Sequence, residues 1–470
     1  MSVMRTEART RAKTVRLSEA AEINPKVNRA LLDDDYDVSF VPMAAVGAAT
    51  GQMGATTIRK FKEVKKGYTY FRDGDVLFAK VTPCMENGKM VIAKHLRNGI
   101  GFGSTEFHVL RPTADVDVSY LYHFVSSETY RKEAAQHMTG AVGLRRVPTA
   151  FLENSEIPLP PIAEQKKLVA EIEKQFSRLD EAVANLKRVK ANLKRYKAAV
   201  LKAAVEGRLV PTEAELARKD GRNYETGEQL LQRILEIRRN EWDGRGKHQE
   251  NALVDKTSLP VLPEGWTWTS VGEVAAETRI GLDRGREKQN LAGIGVPYVK
   301  MGNVTMDGKV LLDELAFVET TAEEQLRYSL VEGDLLFNTR NSSELVGKIG
   351  MVRKPPTCAV YNNNLMRIRV SGGVLPTFIC AQMCAFDFRR RLERVKKATT
   401  NVAAVYAKDL LPLPLALPPE AEQRRIVAGI ESRMSLVDGV EKQTDLNLKR
   451  AERLRQSVLA KLFSVGPSEN

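Results

Sequence analysis

Leu159-Pro-Pro-Ile-Ala-Glu-Gln165 is written a second time as Leu417-Pro-Pro-Glu-Ala-Glu-Gln423, 258 residues further along the chain. Around it, residues 157–180 and 415–438 agree at twelve of 24 positions without a gap. The differences are mostly mild: Lys166-Lys167 becomes Arg424-Arg425, Leu168 becomes Ile426 and Leu179 becomes Val437. Solenoid units repeat at about 20–50 residues, so a period this long is a duplicated module of domain size. The chain is two copies of one plan, and its function is expected to act twice.

Downstream of Pro160-Pro161 the pattern turns helical, since prolines suit a helix entry and the next glycine is Gly207. Ile172, Leu179, Leu186, Leu193 and Val200 fall at seven-residue intervals, with Phe176 and Val183 at the partner position. That is a coiled-coil seam. The same register in the second copy gives Ile430, Val437, Thr444, Ala451 and Val458, with Val427, Met434, Leu448 and Leu462, interrupted by Glu441 and Arg455. Large knobs on one helix and small ones on the other fill space best when the two pack together, so an antiparallel intramolecular pair is expected. A helix of about 45 residues spans roughly 68 Å. From Lys187 to Val205 the first helix carries seven Lys or Arg and no acid, which suits either a solvated face or a strip facing phosphates or an acidic surface.

Each helix is preceded by about 150 residues that also echo one another. Gly74-Asp-Val-Leu-Phe78 matches Gly333-Asp-Leu-Leu-Phe337, and Gly88-Lys89 matches Gly347-Lys348, both at an offset of 259. Phe107-His-Val109 is aligned with Met366-Arg-Ile368 at the same offset. Gly-Asp before an apolar triplet predicts a turn feeding a buried strand. Further strands are expected at 38–41, 89–93, 106–110, 296–299, 348–352 and 365–370, with helical pieces at 120–126 and 378–394. The fold class is therefore mixed α/β: two similar strand-rich domains and two long antiparallel coiled-coil helices, a pseudo-twofold repeat. The predicted division is 1–156, a first domain; 157–207, a long helix; 208–262, a linker with a short helix; 263–414, a second domain; and 415–470, the C-terminal helix.

Between the matched strands the two copies diverge. Ala79-Lys-Val-Thr-Pro-Cys-Met-Glu-Asn87 stands where the second copy has Asn338-Thr-Arg-Asn-Ser-Ser-Glu-Leu-Val346. Common scaffold with different loops is what two readers of different targets need. Arg suits guanine, Asn suits adenine, and hydroxyls suit either base or phosphate. The candidates are Lys80 and Thr82 in the first copy, and Thr339, Arg340, Asn341, Ser342 and Ser343 in the second. A second loop precedes each Pro-rich junction, offering Arg145 and Arg146 after Gly140 and Gly143, and Thr400 and Asn401 in the later copy. The repeated Lys89 and Lys348 complete the candidate DNA-binding set.

The net charge of +13, from 72 Lys and Arg against 59 Asp and Glu, points to a polyanionic partner, nucleic acid first. Cys84, Cys358, Cys380 and Cys384 have no ligand-spaced partners, so buried reduced thiols are expected and a metal is not. The first residues are charged and no apolar run reaches membrane-spanning length, which reads as cytoplasmic.

Together the twin Leu-Pro-Pro-…-Ala-Glu-Gln motif, the Gly-Asp and Gly-Lys framework, Leu262-Pro-Glu-Gly-Trp266 and Ala203-Ala-Val-Glu-Gly-Arg-Leu209 resemble the DNA-specificity subunit of type I restriction–modification systems. The resemblance covers nearly the whole chain. It implies two target recognition domains, each reading half of a bipartite double-stranded DNA sequence, and a helix pair docking methyltransferase subunits, with restriction subunits in the complete complex. The first copy departs from it, opening on Val15-Arg-Leu-Ser-Glu-Ala-Ala instead of Leu-Pro-Glu-Gly-Trp. No base contact carries over, because members of the family do not share recognition residues.

No catalytic constellation is found and no cofactor is expected. Gly99-Ile-Gly-Phe-Gly103 has Ser104 where a dinucleotide fingerprint needs its last glycine, and a strand pattern follows where a helix is required. No Gly-Lys is followed by Ser or Thr, no Asn-Pro-Pro-Tyr-like segment is present, and Glu63-Val-Lys65 is a common triplet. The five histidines lack metal or triad spacing. Two alternatives remain open at this point: a single-chain nuclease or methyltransferase with a fused recognition region, or a coiled-coil scaffold without a DNA role.

Overall fold

In the computed structural model, which describes residues 13–28, 32–141, 143–240, 259–399 and 402–463, the duplication recurs in the main sheet of each half. Compactness divides the chain into residues 1–188 with 444–470, and residues 189–443. Neither boundary falls between a domain and its helix, because each domain core continues into the helices. Val169, Ile172, Phe176, Leu459 and Phe463 belong to the first core, and Val200, Ala204, Ile426 and Ile430 to the second.

The first unit runs β1 (Lys13–Arg16), α1 (Leu17–Ala20), β2 (Ala21–Ile23), β3 (Asp37–Val41), β4 (Thr57–Lys60), α2 (Phe61–Val64), β5 (Thr69–Arg72), β6 (Val76–Ala79), β7 (Met90–Ile92), β8 (Ile100–Gly103) and β9 (Phe107–Pro112). Then come α3 (Val118–Ser126), α4 (Glu128–Gln136), α5 (Thr149–Asn154), β10 (Glu156–Leu159) and the long α6 (Ile162–Val205). Two four-stranded sheets form, ordered β2-β9-β6-β7 and β4-β3-β8-β5, and β1 pairs with β10. The glycine run at 99–103 is the strand β8. A Cβ on Gly101 would lie 2.2 Å from the Phe71 ring and one on Gly103 2.4 Å from the Val41 carbonyl oxygen, so close strand packing accounts for both.

After α6 come α7 (Glu213–Asp220) and α8 (Gly227–Asn240), so the segment expected to hold one short helix has two. Thr212 and Glu215 form a capping box at the start of α7, and left-handed Gly221 ends it. The second unit continues with β11 (Thr267–Ser270), α9 (Val271–Val274), β12 (Ala275–Ile280), β13 (Val296–Val299), β14 (Ala316–Val318), α10 (Ala322–Tyr328), β15 (Leu335–Asn338), β16 (Arg340–Asn341), β17 (Ile349–Met351), β18 (Val360–Tyr361) and β19 (Leu365–Val370). It closes with α11 (Pro376–Cys384), α12 (Phe386–Val395), β20 (Lys397–Ala398), β21 (Ala403–Ala404), α13 (Ala407–Leu410), β22 (Pro414–Leu417) and α14 (Glu420–Phe463). The order β12-β19-β15-β17 repeats that of the first unit's main sheet, and β11 pairs with β22 as β1 does with β10. The helical piece expected at 378–394 is two helices, because Ala385 is extended (ψ 152°). Ser127 is extended in the same way (ψ 146°) between α3 and α4.

The repeated motifs have repeated jobs. Gly74 and Gly333 turn at φ 89° and 91°, a region that favours glycine. The carboxylate of buried Asp75 then accepts from Arg72 N and, at 2.8 Å each, from two guanidinium nitrogens of Arg111. Asp334 does the same with Val331 N and Arg369. The ladders correct the strand alignment by one residue. Phe78 lies opposite His108, and Phe337 opposite Met366. The offset there is 258, not 259, and a one-residue slip moves every side chain to the other face.

Gln165 explains the Ala-Glu-Gln motif. Its side-chain NH2 donates to Asp115 O and Pro160 O, and its Oε1 accepts from Asp117 N. Gln423 donates to Gly373 O and Pro418 O and accepts from Leu375 N. Each clasps the start of a long helix to the chain between sheet and helices of its own domain.

The long helices are antiparallel. In the first unit Arg455 lies 3.2 Å from Asp180 and 4.4 Å from the Phe176 ring centre. In the second, Lys197 reaches Asp438 at 2.9 Å and Glu441 at 2.7 Å. Within the second unit Val200 and Ala204 share a core with Ile426 and Ile430, so rising numbers on α6 meet falling ones on α14. Glu441 and Arg455, which interrupt the apolar seam in sequence, therefore supply its cross-helix charge pairs, while Ile172, Val200, Ile430, Val437, Thr444 and Ala451 are buried.

Candidate nucleic-acid interface

The two loops singled out in each half come together. In the first unit, β6 ends at Ala79 and the chain runs on through Lys80, Val81 and Thr82. Val81 pairs with Arg146, which pairs in turn with Thr139. Thr139 N donates to Arg146 O at 3.0 Å, Arg146 N to Thr139 O at 2.8 Å, and Thr82 N to Arg145 O at 3.0 Å. The result is a hairpin, 139–146, lying along the strand that carries Lys80 and Thr82. In the second unit β16 pairs with β21, and β21 with β20, so Arg340 and Asn341 lie along a hairpin of the same order. Both arrangements are anchored alike: Val147 N donates to Lys80 O, and Val405 N to Thr339 O, each at 2.9 Å.

The candidate residues differ sharply in what they can still do. Arg145 and Arg340 are exposed, and among the described residues neither forms a salt bridge; they are the cations best placed to meet an external anion. Ser342 and Ser343 are exposed beside Arg340, and Lys396 Nζ steadies their loop by donating to Ser343 O at 3.0 Å. Asn341 is half-buried, with Nδ2 on Asn338 Oδ1 at 2.9 Å and Oδ1 accepting from Ser342 N. Thr339 donates its hydroxyl to Asn364 O, and Thr82 to Glu86. Lys80 is half-buried near Glu106, whose carboxyl is lowered first by its hydrogen bonds from Arg146. Thr400 and Asn401 lie outside the described residues.

Three candidates have internal roles instead. Arg146 makes a bidentate pair with Glu106, Nε to Oε2 at 2.9 Å and Nη2 to Oε1 at 2.8 Å, which locks the hairpin base. Lys89 Nζ donates to Met43 O at 3.2 Å, and Lys348 Nζ to Met301 O at 2.8 Å. Met43 and Met301 each begin the short 3-10 turn following β3 and β13. Lys348 is only 6% exposed, and burial, then the nearby Arg389, holds its ammonium below the usual lysine range. The repeated Gly-Lys is thus a framework strut, which is why it repeats. Sequence reasoning missed Glu106 and Lys396, and nothing in their spacing signals a pairing partner 40 or 53 residues away.

Among the described residues no group of three or more His, Cys, Asp or Glu could hold a metal ion. Cys380 and Cys384 are free thiols.

Residues 11–195 match the family model described as type I restriction modification DNA specificity domain. The type I restriction enzyme EcoEI specificity subunit of Escherichia coli is 26% identical over 93% of this chain and 81% of its own length. The EcoAI specificity subunit of the same species is 26% identical over 93% and 80%, and the EcoKI specificity subunit of strain K12 is 27% identical over 76% and 67%. Among solved structures, a chain from work on complex assembly and conformational transition of the type I R-M system covers 96% of this chain and 97% of itself. It has a TM-score of 0.65 at 20% identity, a likeness of fold.

Proposed function

This chain belongs to the family of type I restriction–modification DNA-specificity subunits, and from that premise we propose that each duplicated domain reads one half of a bipartite target through its hairpin and the adjoining strand. The observation that carries the reading is the recurrence of one hairpin-on-strand arrangement in two domains whose frameworks match and whose exposed residues do not. Arg145 in the first domain and Arg340, Ser342 and Ser343 in the second are the groups we assign to DNA. Thr82, Thr339 and Asn341 sit beneath them as supporting polar groups that reach DNA only by exchanging an internal partner, and half-buried Lys80 adds positive charge beside them.

The subunit is non-catalytic: it supplies sequence choice to methyltransferase subunits and, in the complete complex, to restriction subunits. The α6–α14 pair is their docking platform. Double-stranded host DNA sets the cytoplasm as the compartment we propose, and among the described residues no helix is long and apolar enough to cross a membrane.

Exchanging residues 263–414 for the matching domain of a relative tests the modular reading. Methylation mapping of the assembled complex is expected to show one half of the recognised sequence changed and the other intact. A change in both halves, or in neither, refutes independent reading by the two domains.

A further inference from the structure

The hairpins share more than their backbone. Arg146 and Ala404 occupy the same central position in the two three-strand arrangements, each flanked by the incoming strand and by the first arm of its own hairpin. Counting back two residues places Leu144 and Val402 at equivalent points of the tips. Both are aliphatic and both are exposed, Leu144 to 59% and Val402 to 45%.

A single exposed aliphatic residue is ordinary. Here the same character stands at the same place in two loops whose other residues have diverged, Gly140-Ala141 and Gly143 on one side against Thr399 on the other. Nor is either residue loosely held. Leu144 N donates to Ala141 O at 3.0 Å, and Val402 O accepts from Thr399 N at 2.8 Å and from its hydroxyl at 2.9 Å. The hairpin below Leu144 is closed by two backbone bonds and by the Arg146–Glu106 pair. Each residue is thus tied through its backbone while its aliphatic side chain stays exposed, outside any core.

On the reading of these hairpins as the DNA-facing elements, on which this step rests, the ligand chemistry follows. The major groove admits a two-stranded β-ribbon, and the one apolar group displayed there is the thymine C5-methyl. We propose that Leu144 and Val402 are specificity-determining residues, each packing against a thymine methyl in its own half-site. Arg145, which strand alternation turns to the other side of the ribbon from Leu144, supplies phosphate contact, and the leucine supplies discrimination that a charge cannot.

The test uses the full chain assembled with its methyltransferase subunits. A preferred site is first selected from random DNA. Each thymine in it is then replaced by deoxyuridine, which removes only the methyl group. The wild-type complex is expected to lose affinity about fourfold at one position in each half-site, the factor one buried methyl supplies. Leu144→Ala abolishes that loss in one half-site only, and Val402→Ala in the other only. Both side chains are exposed, so unchanged melting temperatures are expected. The proposal is overturned if no deoxyuridine position costs affinity, or if the losses survive in both variants. It is equally overturned if the alanine variants instead weaken subunit assembly, which assigns these side chains to a protein contact. Failure of the wild-type complex to select any sequence is a different result, since it removes the underlying specificity reading itself.

Discussion

Replacing Gln423 by alanine should loosen the second domain from its helix by an amount the structure allows us to state. The side chain is fully buried. Its loss strands the Leu375 N–H, held at 2.9 Å, and the Pro418 and Gly373 carbonyls, held at 3.1 and 3.3 Å. A buried polar group left without a partner costs about 1–3 kcal/mol, and water entering the vacated space recovers part of it. The net expectation is about 3–5 kcal/mol, a fall of roughly 1–1.7 M in urea midpoint for a slope near 3 kcal/mol/M. Trp266, packed edge-on to Phe378 in the same core, makes fluorescence a suitable probe. Gln423→Glu separates lost bonds from lost volume. Its carboxylate still accepts from Leu375 N but faces two carbonyl oxygens, so its folded pKa should be raised. A raised carboxyl pKa means the folded state binds more protons than the unfolded one, so stability falls as pH rises and recovers in acid. A loss below about 1 kcal/mol in Gln423→Ala, or a Gln423→Glu protein no more stable at pH 5 than at pH 8, refutes the clasp.

Acid should weaken the first unit through His123, whose pKa is lowered to about 4, first by burial and then by the nearby Arg455. Between that value and about 6.5 the unfolded chain binds the extra proton, so stability drops as pH falls through this window, by up to about 3 kcal/mol. Thermal unfolding followed by circular dichroism should show a flatter acid limb for His123→Gln, and equal slopes would exonerate the histidine. Arg145→Ala and Arg340→Ala should each cost about 1–3 kcal/mol at one base pair if they read a base, or weaken all sequences alike and lower the salt slope by about one if they touch phosphate. Unchanged affinity in both would remove them from the interface. Inserting one heptad into each long helix lengthens it by about 10 Å, so the preferred spacer between half-sites should grow by up to about three base pairs. An unchanged spacer in a stably folded variant would show that the helices are not the ruler.

The duplicated plan, the long helices and most sheet strands could be read directly from residues, because hydrophobic period and repeated motifs encode them locally. What failed did so for identifiable reasons. A repeated lysine reads as a DNA-facing group, whereas the bonds from Lys89 to Met43 O and from Lys348 to Met301 O are long-range contacts that no local pattern announces. Arg146 was grouped with Arg145 by adjacency, yet alternation along a strand sends neighbours to opposite sides, and Glu106 claims one of them. The one-residue error in aligning β9 with β19 arose between Lys89 and Phe107, where loop length changes and no motif marks the step. The meeting of the two loops in each half is a long-range ladder, and no local pattern announces it.

Gln165 and Gln423 address only main-chain atoms: two carbonyls and one N–H each, supplied by Asp115, Asp117 and Pro160, or by Gly373, Leu375 and Pro418. Every residue presents those atoms, whatever its side chain, apart from the N–H that proline lacks. Such a joint is indifferent to the vocabulary of the domain it holds. A lineage could therefore rewrite either domain extensively, or receive a foreign one by recombination at the Leu-Pro-Pro seam, without mutating the fastening in step. The tolerance that lets recognition drift is served by the main-chain clasp between domain and helix, not by the reading surface alone.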